Sequence, residues 1–245
     1  MKIKILVAAT TLLTSGLVLA APYQYDVGAE VIRKDLDGLN SETNEYGLTG
    51  AYYFDAVKTS NVPLAEAAYL GKNSNVHAGV SNLSRPGPNL NSYEVGAEFF
   101  IPENFLYVDA GVQQARTKGN TDNDWYTTLG LTPIDGLLVT TSYAHDEGYD
   151  ANIRAKYVAP LLGAGEFINV EAAFSDGDGY TYKELAGDYY LDTTLSVGGI
   201  IKNAHSDTSF GVRARKFFTE EISANASYED TPDGNVVTVG ANIRF

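Results

Sequence analysis

Asn235 to Phe245 reads N-V-V-T-V-G-A-N-I-R-F. At a period of two, Val237, Val239, Ala241, Ile243 and Phe245 share one face, and Thr238, Gly240, Asn242 and Arg244 share the other. The stretch reads as a strand with one apolar and one polar face, stopping on a phenylalanine with no polar tail. An amphipathic edge strand of a soluble sandwich would read the same way, so the fold turns on whether the rest of the chain repeats the pattern.

Composition narrows the choice. A chain of 245 residues suits one or two soluble domains or a single barrel. Cysteine is absent, which removes a disulfide framework and any thiolate metal site. Seventeen Tyr and 24 Gly against a single Met and a single Trp favour strands and tight turns over packed helices. A formal charge of −14 argues against nucleic acid as a partner, because phosphate contacts need a basic surface.

Met1 to Ala20 has Lys2 and Lys4, then an apolar run from Ile5 through Leu19, and small residues Val18 and Ala20 where a signal peptidase reads. The expectation is a signal peptide over 1–20, cut after Ala20, with the barrel occupying 21–245. The apolar run is short of the roughly 20 residues of a spanning helix, and no other long apolar run follows. Membrane residence therefore requires strands.

The alternation recurs along the whole chain. Tyr25, Val27, Ala29 and Val31 oppose Asp26, Gly28 and Glu30; Tyr46, Leu48, Tyr52 and Phe54 oppose Glu45, Gly47, Thr49 and Ala51. These two runs read as a hairpin around a polar loop, Asp35 to Thr43. Similar runs centre on Ala78, Val95, Val108, Leu129, Val139, Ile153, Val170, Leu185, Val197, Val212, Ala226 and Val239. Between them, Thr117 to Asn123, Ser175 to Gly179 and Asp230 to Asn235 read as polar loops, and Pro102-Glu103-Asn104 and Pro133 to Gly136 as turns. The one long interruption is Asp55 to Asn73, in which Pro63 to Leu70, P-L-A-E-A-A-Y-L, predicts one or two helical turns.

The count is about fourteen strands, with about twelve or sixteen as alternatives, each near the roughly 9 to 11 residues that cross a bilayer at a tilt. The fold expected is an all-β transmembrane antiparallel up-and-down barrel. An even number puts both termini on the periplasmic side. Tyr25, Tyr46, Phe54, Tyr93, Phe99, Trp125, Tyr149, Tyr157, Phe174, Tyr189, Phe210, Tyr228 and Phe245 fall near strand ends, as two interfacial girdles would. Energy fixes the phase: a Lys or Arg on the lipid face near the midplane costs about 2 to 4 kcal/mol, and a one-residue slip would put Arg154 and Lys156, or Arg213 and Arg215, there.

That phase assigns a pore lining. The acids pointing inward are Asp26, Glu30, Glu45, Glu94, Glu98, Asp109, Asp150, Glu171, Glu184, Asp188 and Glu229, and the bases are Lys34, Arg154, Lys156, Lys202, Arg213, Arg215 and Arg244. Acids dominate the first five strands; bases gather on the eighth, twelfth and fourteenth. Two charged walls would set a transverse field across a narrow pore, unless the charges pair between neighbouring strands and only solvate the lumen.

Enzyme chemistry finds little support. His77, His145 and His205 sit on separate strands or loops, with neither G-x-S-x-G nor H-E-x-x-H present. Ser175 to Gly179 and Thr121 to Asp124 lack the third acid and closing Glu of a calcium loop. No catalytic residue, cofactor or metal is expected.

The run F-D-A-V-K-T-S-N-V-P-L-A-E-A-A-Y-L, Phe54 to Leu70, resembles the start of a family of porins from Gram-negative bacteria, and the C-terminal strand resembles that of outer-membrane barrels whose terminal Phe is read by the barrel-assembly machinery. The resemblance implies an outer-membrane channel for passive diffusion of small hydrophilic solutes and ions, with Phe245 as assembly signal. Its partners would be outer-membrane lipid and lipopolysaccharide, the assembly machinery and the solutes. The alternatives are a substrate-selective oligosaccharide channel lined by Tyr107, Tyr126, Tyr190, Arg154, Arg213 and Arg215, or a non-conducting structural or adhesive barrel. No outer connection is long enough to fold inward as a constriction, which leaves both monomer and homo-oligomer open.

Overall fold

The computed structural model describes residues 22–36, 42–101, 105–145, 151–161, 165–177 and 180–245. The expected signal peptide, together with Tyr149, Asp150 and the turn Pro102-Glu103-Asn104, lies outside the described residues.

Fourteen strands form one closed antiparallel barrel in which each pairs with its neighbours in sequence and β1 closes on β14. They are β1 Tyr23–Leu36, β2 Glu42–Val57, β3 Asn75–Ser84, β4 Leu90–Ile101, β5 Leu106–Thr117, β6 Asn120–Leu131, β7 Leu137–Ala144, β8 Ala151–Pro160, β9 Phe167–Gly177, β10 Tyr180–Asp192, β11 Leu195–Ala204, β12 Asp207–Phe217, β13 Ile222–Thr231 and β14 Gly234–Arg244. Closure leaves no unpaired edge, the condition for strands to stand in hydrocarbon.

The apolar face is the outer one. Leu48 is 57% exposed, Val112 55%, Val212 63% and Phe210 59%, although a water-soluble sheet protein would bury side chains of this kind. Such a continuous apolar exterior far exceeds the patches tolerated by soluble monomers, so its solvent is lipid. Phe245 completes the seam: its N–H donates to Tyr25 O at 3.0 Å, its carbonyl accepts from Tyr25 N at 2.9 Å, and its ring stacks on Tyr25 at 5.2 Å.

The expected polar loops are mostly strand. Thr117 to Asn123 reduces to a turn at Lys118-Gly119, with Gly119 at φ +89°, and Asp230 to Asn235 reduces to Pro232-Asp233 between β13 and β14. Ser175 to Gly177 belongs to β9. The reason is physical: above the hydrocarbon the outward face has no need to be apolar, so polar residues continue the ladder. Gln114 Nε2 donates to Asn123 Oδ1 at 2.6 Å, and Gln113 Nε2 to Asp124 Oδ2 at 3.4 Å. The seam between β7 and β8 registers only from Leu137↔Tyr157 to Thr140↔Arg154. Past that point the Asn152 amide stands in for a peptide, accepting from Ser142 N and donating to Ser142 O, each at 2.7 Å.

The connection between β2 and β3 is the long one, and it is described throughout. Its helical turns form as predicted, a 3-10 turn at Leu64–Glu66 and a helix, α1, at Ala67–Leu70. Instead of linking two strands outside the barrel, it folds into the mouth. Val57, 0% exposed, and Ala67, 1%, pack with Tyr23, and Tyr53, Val62 and Ala68 lie around them; Leu64 is buried too, at 4%. The insert narrows the barrel at that end. A β-barrel large enough to hold water has room for such an insert, and burying Leu64, Ala67 and Val57 gives the insertion a hydrophobic driving force.

Candidate functional site: the barrel interior and the inserted connection

The connection is held from several directions. Glu66 accepts a hydrogen bond from Tyr190 on β10 at 2.6 Å and pairs with Lys156 on β8 at 2.7 Å. Tyr69 donates to the carbonyls of Gly136 at 2.9 Å and Lys156 at 3.0 Å, and the Lys156 ammonium sits 4.6 Å from the centre of its ring. Burial first, and the Glu66 carboxylate second, push the Tyr69 phenol above the usual tyrosine range, so it stays a neutral donor. Leu64 N donates to Thr193 O at 2.8 Å, and Thr59 Oγ1 to Glu220 at 3.2 Å. These partners lie on both walls, so the insert crosses the mouth.

Arg244 anchors the same segment. Its guanidinium donates to Leu64 O at 2.8 Å and Tyr23 Oη at 2.9 Å, and lies over the rings of Tyr23 and Phe217 at 4.6 and 4.2 Å. At 3% exposure it is buried beneath the insert. Sequence phasing gives it an inward side chain but not this cover.

The other inward bases are largely matched by carboxylates. Arg213 on β12 grips Asp188 on β10 through two bonds of 2.8 and 2.6 Å, with Glu171 at 3.1 Å. It reaches over β11 because the intervening residue is Gly198, where a Cβ would lie 2.2 Å from Asp188 Oδ1. Asn169 joins Glu171 at 2.7 Å and Asp188 at 2.9 Å. Arg154 stands 3.9 Å from Glu171 and 3.6 Å from Glu184, whose other partner is the Tyr182 hydroxyl. Lys202 pairs with Glu229 at 2.7 Å. Arg215 faces a cavity of about 200 Å³ that Glu30, Thr49, Asn225 and Asn242 also line.

The opposite wall is acidic. Tyr126 on β6 donates to Glu94 on β4 at 2.8 Å and lies 3.1 Å from His77 Nε2 on β3, which is itself 3.6 Å from Glu94 and 3.9 Å from Asp109 on β5. Gly111 makes room for this: a Cβ there would stand 2.7 Å from the Tyr126 ring. Glu98 is in register with Asp109 and accepts from Asn75 at 2.6 Å, while Asp26 accepts from Asn242 at 3.1 Å. Glu45 and Lys34 stand nearer the rim, on the pairs Glu45↔Leu83 and Lys34↔Thr43.

Neighbouring cavities of the interior share wall residues. A cavity of about 470 Å³ shares Lys156 and Glu171 with one of about 270 Å³ beside Glu66 and Arg213. That cavity shares Arg215 and Asn225 with the one at Glu30, which shares Thr49 and Asn242 with a cavity of about 290 Å³ below His77 and Glu94. Alternation puts His77 and Asn169 on the polar faces of their strands without marking them as site residues, and it does not find Glu66 or Tyr69. The available signal for Glu66 was a single carboxylate inside an otherwise apolar Pro-Leu-Ala turn, which a buried partner must satisfy.

A family model with the description "Putative general bacterial porin" matches residues 1–132, more than half of this 245-residue chain. The crystal structure of the Acinetobacter baumannii outer membrane protein Omp33 is similar at a TM-score of 0.78 and 23% identity, over 93% of this chain and 100% of that one, a likeness of fold. More distant barrels include the KdgM porin, at a TM-score of 0.45 and 11% identity over 89% of this chain and 99% of that one. A mutant of the Rh. blastica porin gives 0.46 and 10% over 91% and 99%. No curated protein matches. With fourteen strands closed around a polar interior and a lipid-facing apolar exterior, the chain belongs to this family of bacterial porins, channels of the outer membrane.

Proposed function

We propose that the chain is a narrow diffusion channel that passes small hydrophilic solutes and prefers cations, its path running beside the inserted connection. One observation carries this reading: Arg213, Arg154, Lys156 and Lys202 are each within reach of carboxylates, whereas among the described residues the basic group paired with the Glu94, Glu98 and Asp109 wall is His77. Local pairing weakens the transverse field and leaves a net negative lining, which attracts cations until salt screens it over about 10 Å at 0.1 M. The inward tyrosines are engaged by carboxylates, Tyr190 by Glu66 and Tyr126 by Glu94, so they do not favour a sugar-stacking track. The same reading takes Met1 to Ala20 as a cleaved signal peptide and Phe245 as the residue recognised during barrel assembly.

The test is conductance of the purified protein in a planar bilayer. Discrete steps, smaller than those of an unobstructed barrel of this size, are expected. A barrel that stays silent at every voltage would overturn the channel.

A further inference from the structure

Reach decides which inward charges of this barrel pair. Arg213 spans two strands to Asp188 because Gly198 lies between them. Arg215, further along β12, has no carboxylate so near. Its register row runs through Asn225 on β13, Gly240 on β14 and Glu30 on β1 to Gly47 on β2. The first carboxylate in that direction, Glu30, is therefore about 14 Å away along the wall, at roughly 4.8 Å per strand. Among the described residues Arg215 and Glu30 make neither an ion pair nor a hydrogen bond.

The two charges nevertheless face one space. Arg215, Glu30, Thr49, Asn225 and Asn242 line the cavity of about 200 Å³, room for roughly six waters at about 30 Å³ each. Glycines make this room: a Cβ at Gly240 would stand 2.8 Å from Asn225 Oδ1, and one at Gly47 would stand 3.2 Å from Glu30 Oε1. The Asn225 amide thus lies over Gly240, between the guanidinium and the carboxylate, and among the described residues it makes no hydrogen bond of its own. On the other side of Arg215, Glu66 lines the cavity of about 270 Å³, but its carboxylate is already taken by Tyr190 and Lys156.

We propose that the cavity between Arg215 and Glu30 is a saturable binding site for small zwitterions, molecules that carry a carboxylate and an ammonium separated by a few methylenes. The carboxylate takes the planar fork of Arg215 through paired hydrogen bonds, the ammonium meets Glu30, and the Asn225 amide lies between them. Repulsion selects as much as attraction does. An anion held at Arg215 faces the Glu30 carboxylate, and a cation held at Glu30 faces the Arg215 guanidinium, so a ligand of one sign gains one neighbour and is opposed by the other. The inference deepens the reading of the chain as a channel for small hydrophilic solutes, and rests on it for the solute's access to the lumen.

The experiment titrates γ-aminobutyrate, butyrate and butylammonium separately onto the folded full barrel in detergent micelles, at neutral pH and low salt. Saturation-transfer NMR of the ligand is the readout, and it needs no conduction. On the parent protein γ-aminobutyrate is expected to bind about fivefold or more tighter than either singly charged compound. Arg215→Gln and Glu30→Gln should each bring γ-aminobutyrate down to the affinity of a singly charged compound. Glu30→Gln should at the same time tighten butyrate, which loss of structure would not do. Equal affinity of the parent for all three compounds would overturn the site even if both variants failed to fold. Butyrate as tight as γ-aminobutyrate would show an anion site at Arg215 alone, and butylammonium as tight would show the acidic lining alone; either would overturn the zwitterion site. Conductance in a planar bilayer separates this inference from the channel. Current steps from a barrel without the γ-aminobutyrate preference would overturn the site and leave the channel, whereas the preference in a silent barrel would support the site and overturn the channel.

Discussion

At the scale of single residues, the interior is governed by what each charge can reach. Glu66 is 6% exposed and bonded to Tyr190 and Lys156, so its carboxylate is stable there only while both partners remain. Glu66→Gln removes the charge and strands the Lys156 ammonium. Because the Lys156 side chain is 28% exposed, the cost is reduced by solvent to about 1 to 3 kcal/mol. The expected outcome is a lower denaturant midpoint together with larger or more frequent conductance steps, as the insert loosens in the mouth. Unchanged conductance in a destabilised variant would show that Glu66 holds the fold without narrowing the path. Sequence made the inward charges legible, because parity alone gives them. It could not show that Gly198 lets Arg213 span two strands to Asp188 or that Arg244 is covered.

At the scale of elements, each strand's identity was written in its alternation, and each strand's end was not. Thr117 to Asn123 reads as a loop by composition and folds as strand and turn, because polar residues pair as well as apolar ones once the wall leaves the hydrocarbon. Single cysteines at Asp35, Lys118 and Asp233 are expected to label on intact cells with an impermeant thiol reagent. Replacements at Lys58 should label only after permeabilisation, and the reverse pattern would mean an inverted or miscounted barrel. The terminal strand gives a second expectation. Phe245 both closes the β1–β14 seam through Tyr25 and presents a 64% exposed ring on the outer face. Deleting it should leave secretion intact and sharply reduce heat-modifiable barrel in the outer membrane; normal levels would count against its role in assembly.

At the scale of the whole molecule, the lining has a net sign. Bases on β8, β11 and β12 are largely answered by nearby carboxylates, and among the described residues the acids of β4 and β5 form a wall in which His77 is the one basic partner. A reversal potential measured in a potassium chloride gradient is therefore expected to favour potassium weakly, and the preference should fade above roughly 0.1 M as the screening length falls below about 10 Å. Glu94→Gln combined with Glu98→Gln should reduce that preference. An anion-selective parent, or an unmoved double variant, would show that this wall does not set selectivity.

From the sequence alone came a strand count of about fourteen, with about twelve and sixteen left open, and the alternation that gives each strand an apolar and a polar face. A period of two is a local property, and the cost of a misplaced Arg in a bilayer makes one phase decisive. The terminal run from Asn235 to Phe245 already contains that rule in full. Only the tertiary structure decided what fills the barrel. The Asp55 to Asn73 stretch closes its own helical turns and packs Val57 with Ala67, but its charged and buried anchors lie elsewhere in the chain. Whether it hangs outside or enters the mouth depends on Tyr190, Lys156, Thr193, Glu220 and Arg244, which lie far along the chain and meet only when β14 closes on β1. Pairing among the inward charges was hidden for the same reason, since parity sets a side chain's direction and closure sets its neighbours.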